Sequence, residues 1–119
     1  MPVGLQAKRQ YLEDEFAGLS PVQVLIKVYD AAIASCARGD RERLNKALVQ
    51  LISSLNFEHH EMALGSFRLY NYCLRQARMG RFDEVQAILA GLRDAWVRAE
   101  RKMRTEAAIS NGGNARSVR

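Results

Sequence analysis

The residues best suited to chemistry sit in one short stretch, "NFEHHEMA", Asn56 to Ala63, where two histidines stand between Glu58 and Glu61. Imidazole and carboxylate groups bind metals, and together they also perform acid–base work. Spacing decides against a metal here. Neighbouring helix positions point about 100° apart, whereas a helical metal site takes ligands at i and i+3 or i+4. His59 and His60 therefore diverge, no HExxH pattern follows, and Cys73 lies roughly three turns further on. The stretch is expected to be a corner instead. Asn56 ends one helix, the polar run turns the chain, and Glu58 and Glu61 complement the positive end of the next helix. No metal and no cofactor is expected.

Other chemistry is equally poorly supported. Ser53, Ser54 and Ser66 lack a glycine-framed elbow, no glycine-rich phosphate loop is present, and the carboxylates fall on solvent faces of the expected helices, so no enzyme is predicted. Cys36 and Cys73 are the only cysteines and form no CxxC pair; both are expected to be free, buried thiols.

The chain has 119 residues, enough for one core, with 48% hydrophobic and 26% charged residues. No apolar run approaches the roughly 18 residues a membrane span needs. The opening "MPVGLQAKRQ" has no apolar segment behind its charges, which predicts a cytoplasmic protein with no membrane partner. A net charge of +5 raises nucleic acid as a partner. However, basic and acidic residues alternate in "RGDRERL" and "LRDAWVRAERK", as on solvated helix faces, and nucleic acid is not the expected partner.

Helical periodicity fills residues 20–104. Ser20, Pro21 and Gln23 form a capping-box start, and Val22, Leu25, Ile26, Tyr29, Ile33 and Cys36 form a stripe that ends near Gly39. Asp40 opens a second helix with Leu44, Leu48, Leu51 and Leu55 inward. A third, from about His60 to Arg78, turns in Ala63, Phe67, Tyr70, Leu74 and Ala77, and Gly80 stops it. Asp83 with Gln86 caps a fourth, carrying Val85, Leu89, Leu92, Trp96, Ala99 and Met103. The expected fold is all-α, an antiparallel up-down-up-down four-helix bundle over residues 20–104, with an N-terminal lid at 1–19 and a flexible tail at 105–119. A monomer is expected, with a weak dimer as the alternative. This topology gathers Arg38, Arg41, Arg43, Arg78 and Arg81 at one pole, either as a solvated end or as a docking site for an acidic partner.

Apolar residues outside these stripes suggest binding. Val24 and Val28, Val49 and Ile52, and Leu69 and Tyr72 exceed what four core stripes require. They either pack at the flanks of the core or line a groove for an amphipathic partner helix. "YLEDEFAGL", with Tyr11, Phe16 and Leu19, is spaced to lie along such a groove as a competing lid.

In order, "SPVQVLIKVYDAAI", "SSLNFEHHEMA", "LYNY" and "LRDAW" resemble the flagellin-specific export chaperones of the FliS family. That family has a Ser/Thr-Pro helix start, a "SL(N/D)xE" corner, an "LYDY" block and an "LRxAW" block, and Tyr11 stands where its members place an N-terminal tyrosine. The resemblance spans Tyr11 to about Ala99. Asn71 replaces the family's usual aspartate, "HHE" replaces a glycine-containing corner, "QARMG" replaces an arginine-rich helix ending, and both hairpins are shorter. The resemblance implies an antiparallel bundle without catalysis that binds the disordered C-terminal segment of flagellin in the cytoplasm, blocks premature polymerisation and serves the flagellar type III export apparatus. From the surplus apolar residues the expected contacts are Val24, Val28, Leu69 and Tyr72, with Asn71 at the groove edge and Tyr11 and Phe16 as the lid. An adaptor of the same fold with another flagellar or regulatory client, and a basic nucleic-acid-binding bundle, stand as alternatives.

Overall fold

The computed structural model describes residues 18–56, 58 and 60–117. The lid residues Tyr11 and Phe16, and His59 of the corner, lie outside them. Four helices follow one another: α1 Pro21–Arg38, α2 Arg41–Ser53, α3 His60–Arg78 and α4 Phe82–Ser117. Each packs on its two neighbours in the ring α1–α2–α3–α4, which is the expected all-α bundle.

Local chemistry sets the boundaries. Ser20 accepts from the Gln23 amide at 3.2 Å while the Gln23 side chain accepts from the Ser20 amide at 2.9 Å, and Pro21 occupies the first turn. Asp40 caps α2 by accepting from the Arg43 amide at 3.1 Å. Gly39 (φ 65°) and Gly80 (φ 74°) end α1 and α3 in the left-handed region, where a side chain would be strained. At both, the two amides after the helix return to its last carbonyls: Gly39 to Cys36 and Asp40 to Ser35, then Gly80 to Ala77 and Arg81 to Gln76. The two tips adjoin, since a β-carbon on Gly39 would lie 3.8 Å from the Phe82 ring. At the other end, Asn56 accepts from the Glu58 amide at 3.0 Å and turns the chain toward α3.

Tyr29, Leu44, Leu48, Leu51, Val85 and Leu89 form the sealed centre. Small residues complete it: Ala32 on α1, Ala47 on α2, and Ala63, Cys73 and Ala77 on α3. They let the helices approach closely. The Arg93 guanidinium pairs with Asp30, and Gln23 donates to Glu100 at 3.4 Å, so α1 and α4 are tied at two levels. These two helices share the most extensive packing, and the α3–α4 seam the least.

Four expectations need correction. Val28, taken as surplus, is 7% exposed and belongs to the core. The inward face of α1 runs through Val28, Ala32 and Ser35, because small residues there allow a tighter approach than a face of large aliphatics. Phe67, taken as core, is 37% exposed, while Cys73 one and a half turns on is sealed. Asp83 does not cap α4: the helix starts at Phe82, and Asp83 and Glu84 lie in its first turn, where their charges complement the dipole. Finally, α4 does not stop near residue 104 but continues to Ser117, with Lys102 and Glu106 paired one turn apart at 4.0 Å.

Both cysteines are free and buried, as expected. Burial pushes each thiol up to about 11, with the neighbouring Cys36 and Glu84 adding to the shift at Cys73. The folded state thus holds these protons more tightly than the unfolded chain, so the thiols' stabilisation is complete below about pH 9 and fades as pH rises through about 11. Urea unfolding at successive pH values should show the midpoint falling across that window. The fall should be shallower in Cys73→Ala.

Candidate functional site

Because α3 and α4 are held together mainly at their hairpin, they part toward the opposite pole, and an apolar cleft opens there. The Tyr72 hydroxyl donates to Glu84, and the Arg81 guanidinium donates to the Gln76 side chain at 3.1 Å, which clamps the hairpin end. The cleft has a cavity volume of about 170 Å³. It is lined by Leu25 of α1, Leu55 and Asn56 after α2, Met62, Ala63 and Ser66 of α3 and Trp96 of α4, with the buried Tyr70 of α3 beneath.

Its floor is held by a polar contact inside the core. The Tyr70 hydroxyl lies 2.5 Å from that of Tyr29, with ring centroids 6.5 Å apart and planes tilted by 55°. A buried phenol without a partner is costly, so each hydroxyl satisfies the other across the diagonal of the bundle. Burial, followed at Tyr29 by the hydrogen bond itself, raises both hydroxyls above their ordinary pKa. Both stay neutral, and the Tyr70 ring is fixed as a rigid apolar surface under the cleft.

The rim is exposed and apolar. Met62 is 71% exposed, whereas Phe67, 37% exposed, does not line the cleft. Methionine adapts its shape to irregular apolar partners, which suits a surface that receives a helix. Among the described residues no cluster of three His, Cys, Asp or Glu side chains could hold a metal, and no helix is long and apolar enough to cross a membrane.

Among the described residues, none of the expected contacts lines this cleft. Val28 is in the core, and Val24, Leu69 and Asn71 are half-buried elsewhere on α1 and α3. Tyr72, also half-buried, is bound to Glu84 with the Arg75 guanidinium 5.9 Å above its ring, a brace of the α3–α4 hairpin. Tyr11 and Phe16 lie outside the described residues. Instead the cleft uses Leu25, Tyr70 and Trp96, three residues assigned to core stripes, and Met62, which belonged to the corner. Met62 was the available signal, a large apolar side chain off the expected α3 stripe.

The arginine pole forms as expected. Arg38 and Arg81 border a shallow, polar hollow between the two tips, and an Arg41 guanidinium nitrogen lies 4.0 Å from where a β-carbon on Gly80 would be. Arg43 turns back to Asp40 at 3.4 Å. Comparison of the chain with protein-family models, curated proteins and solved structures finds no match.

Met62 contributes little to the core, so Met62→Lys should change the unfolding free energy by less than about 0.5 kcal/mol. The same change should lower the fluorescence of an apolar dye such as ANS bound to the native protein. Urea titration and dye titration measure the two effects separately.

Proposed function

We propose that the chain is a non-enzymatic binding protein that holds an amphipathic helical segment of a partner in the Met62–Tyr70–Trp96 cleft. Together with the sequence resemblance to FliS chaperones, the partner favoured is the disordered C-terminal segment of flagellin, held in the cytoplasm before delivery to the flagellar type III export apparatus. The observation that carries this reading is a rigid apolar floor under an exposed, methionine-bearing rim where the α3–α4 seam is loosest. A protein that needed only to fold would gain by closing that seam. Left open, it offers apolar area to a segment that cannot bury its own.

The energetics fit a reversible holder. A docked helix would gain about 25 cal/mol for each Å² of apolar surface it covers. Ordering a disordered segment and losing translational freedom return much of that, about 4 kcal/mol or more. The balance leaves an affinity that protects the segment yet allows release.

Co-purification tests the assignment. Intact flagellin should be retained by the immobilised chain, flagellin without its C-terminal segment should not, and Met62→Lys should weaken retention. Retention should also change little between about 50 and 500 mM salt, since apolar burial rather than counterion release supplies the affinity. Equal retention of both flagellins would defeat the flagellin assignment, and steep loss with salt would favour a nucleic-acid-binding bundle.

A further inference from the structure

A second concavity runs along the α1–α2 seam and shares no residue with the apolar cleft. Its volume is about 330 Å³. From α1 it takes Lys27, Ala31, Ala34 and Arg38, which recur at helical spacing and so form one stripe with a cation at each end and alanines between. From α2 it takes Arg43, Lys46 and Gln50, the facing stripe. Val28, Ser35 and Ala47 are buried beneath. No carboxylate lines the groove.

The chemistry of rim and floor differ. Arg43 and Lys46 do have carboxylate neighbours, Asp40 and Glu42, each at 3.4 Å, but these are exposed single-turn pairs that contribute little and exchange easily. Lys27 and Arg38 have no ion-pair partner among the described residues. The Ser35 hydroxyl is already spent on the Ala31 carbonyl at 2.8 Å, so the floor is apolar in effect. Ala31 is exposed and Ala34 half-exposed, so a bulky group could approach the backbone closely between the cations.

That combination selects its occupant. A phosphate backbone would satisfy the cations but leave the alanine floor uncovered, and a purely apolar helix would leave the cations without partners. Lys27 to Arg38 spans about 16 Å along the axis, close to three turns of a docked helix. We propose that the α1–α2 groove docks an acidic amphipathic helix of a protein partner, whose small apolar face lies on Ala31, Ala34 and Ala47 and whose carboxylates meet Lys27, Arg38, Arg43 and Lys46. The groove is independent of the cleft, so a client in one and an acidic helix in the other can be held together. This inference does not rest on the flagellin assignment.

The test uses the full chain and fluorescein-labelled synthetic helices of about four turns. One carries glutamates flanking an alanine stripe, a second replaces the glutamates with lysines, and a third keeps the glutamates but has two central prolines. Anisotropy should show saturable binding of the acidic helix alone. The pair Lys27→Glu and Arg38→Glu should weaken it by about tenfold or more, a usual scale for oppositely charged contacts that become repulsive. Ala31→Phe, which changes no charge, should weaken it comparably by filling the floor. Arg101→Glu with Lys102→Glu, the same charge change on exposed residues of α4, should leave it unaltered, and circular dichroism should show every variant folded.

Absence of binding by the acidic helix would overturn the proposal. So would equal loss in the Arg101/Lys102 pair, or equal binding of the proline helix, since either means diffuse charge attraction. Single-stranded DNA that binds as tightly and ignores Ala31→Phe would assign the cations to phosphate instead. Binding that appears only after Glu13→Gln, Asp14→Asn and Glu15→Gln in the full chain would assign the groove to the chain's own acidic run, and would equally refute a partner helix.

Discussion

The hydroxyl pair of Tyr29 and Tyr70 constrains this bundle more than any other single contact. It lies in the core on the diagonal between α1 and α3, two helices that are not neighbours in the ring. Two phenols inside a protein of this size are tolerable only if they meet, because neither has water to fall back on. Once they meet, the spacing of α1 and α3 is set, and the Tyr70 ring cannot swing out to fill the space above it. The cleft persists for that reason. Its floor is anchored from below by a polar contact, and the Trp96 indole also reaches the Tyr29 hydroxyl, while Met62 is exposed at the edge.

The two poles of the bundle follow opposite designs. At the hairpin pole, Gly39 and Gly80 return the chain in nearly identical turns, Tyr72 and Glu84 clamp α3 to α4, and arginines keep the surface wet. At the cleft Met62 is exposed, and the polar contacts beyond the hairpin tie α1 to α4 rather than α3 to α4. A bundle braced at one end keeps its apolar cleft at the other, although Val49 and Met79 are exposed elsewhere. That asymmetry leaves an open apolar cleft at the pole away from the hairpin.

Much of the fold was legible because its signals are local. Ser20, Pro21 and Gln23 act within one turn, Gly39 and Gly80 act through their own φ angles, and the leucines at 44, 48 and 51 face inward whatever their neighbours do. The site was less legible because it depends on rotation and separation of whole helices. Counting large apolar side chains placed Val28 outside the core, since Ala32 and Ser35 carry no weight in such a pattern although they decide how near α1 can come. Tyr72 lay away from the expected stripe, yet its hydroxyl found Glu84, a partner on the next helix that periodicity does not reveal. Trp96 fell on a core stripe and does pack inward; that it also borders an opening follows from the thin α3–α4 seam, which no residue spacing reports. In α4 the apolar stripe ends at Met103 and a tail was expected from residue 105, whereas the helix continues to Ser117.

The chain's single tryptophan reports on the central claim. Trp96 is half-buried at the cleft wall, so a helix seated there must remove water from its indole. Titration of the native chain with the isolated C-terminal segment of flagellin, followed by tryptophan emission, is the most direct measurement. A saturable blue shift that is lost in Met62→Lys is the result predicted. Binding with no change in Trp96 emission, or emission that never responds, would contradict a client held in this cleft.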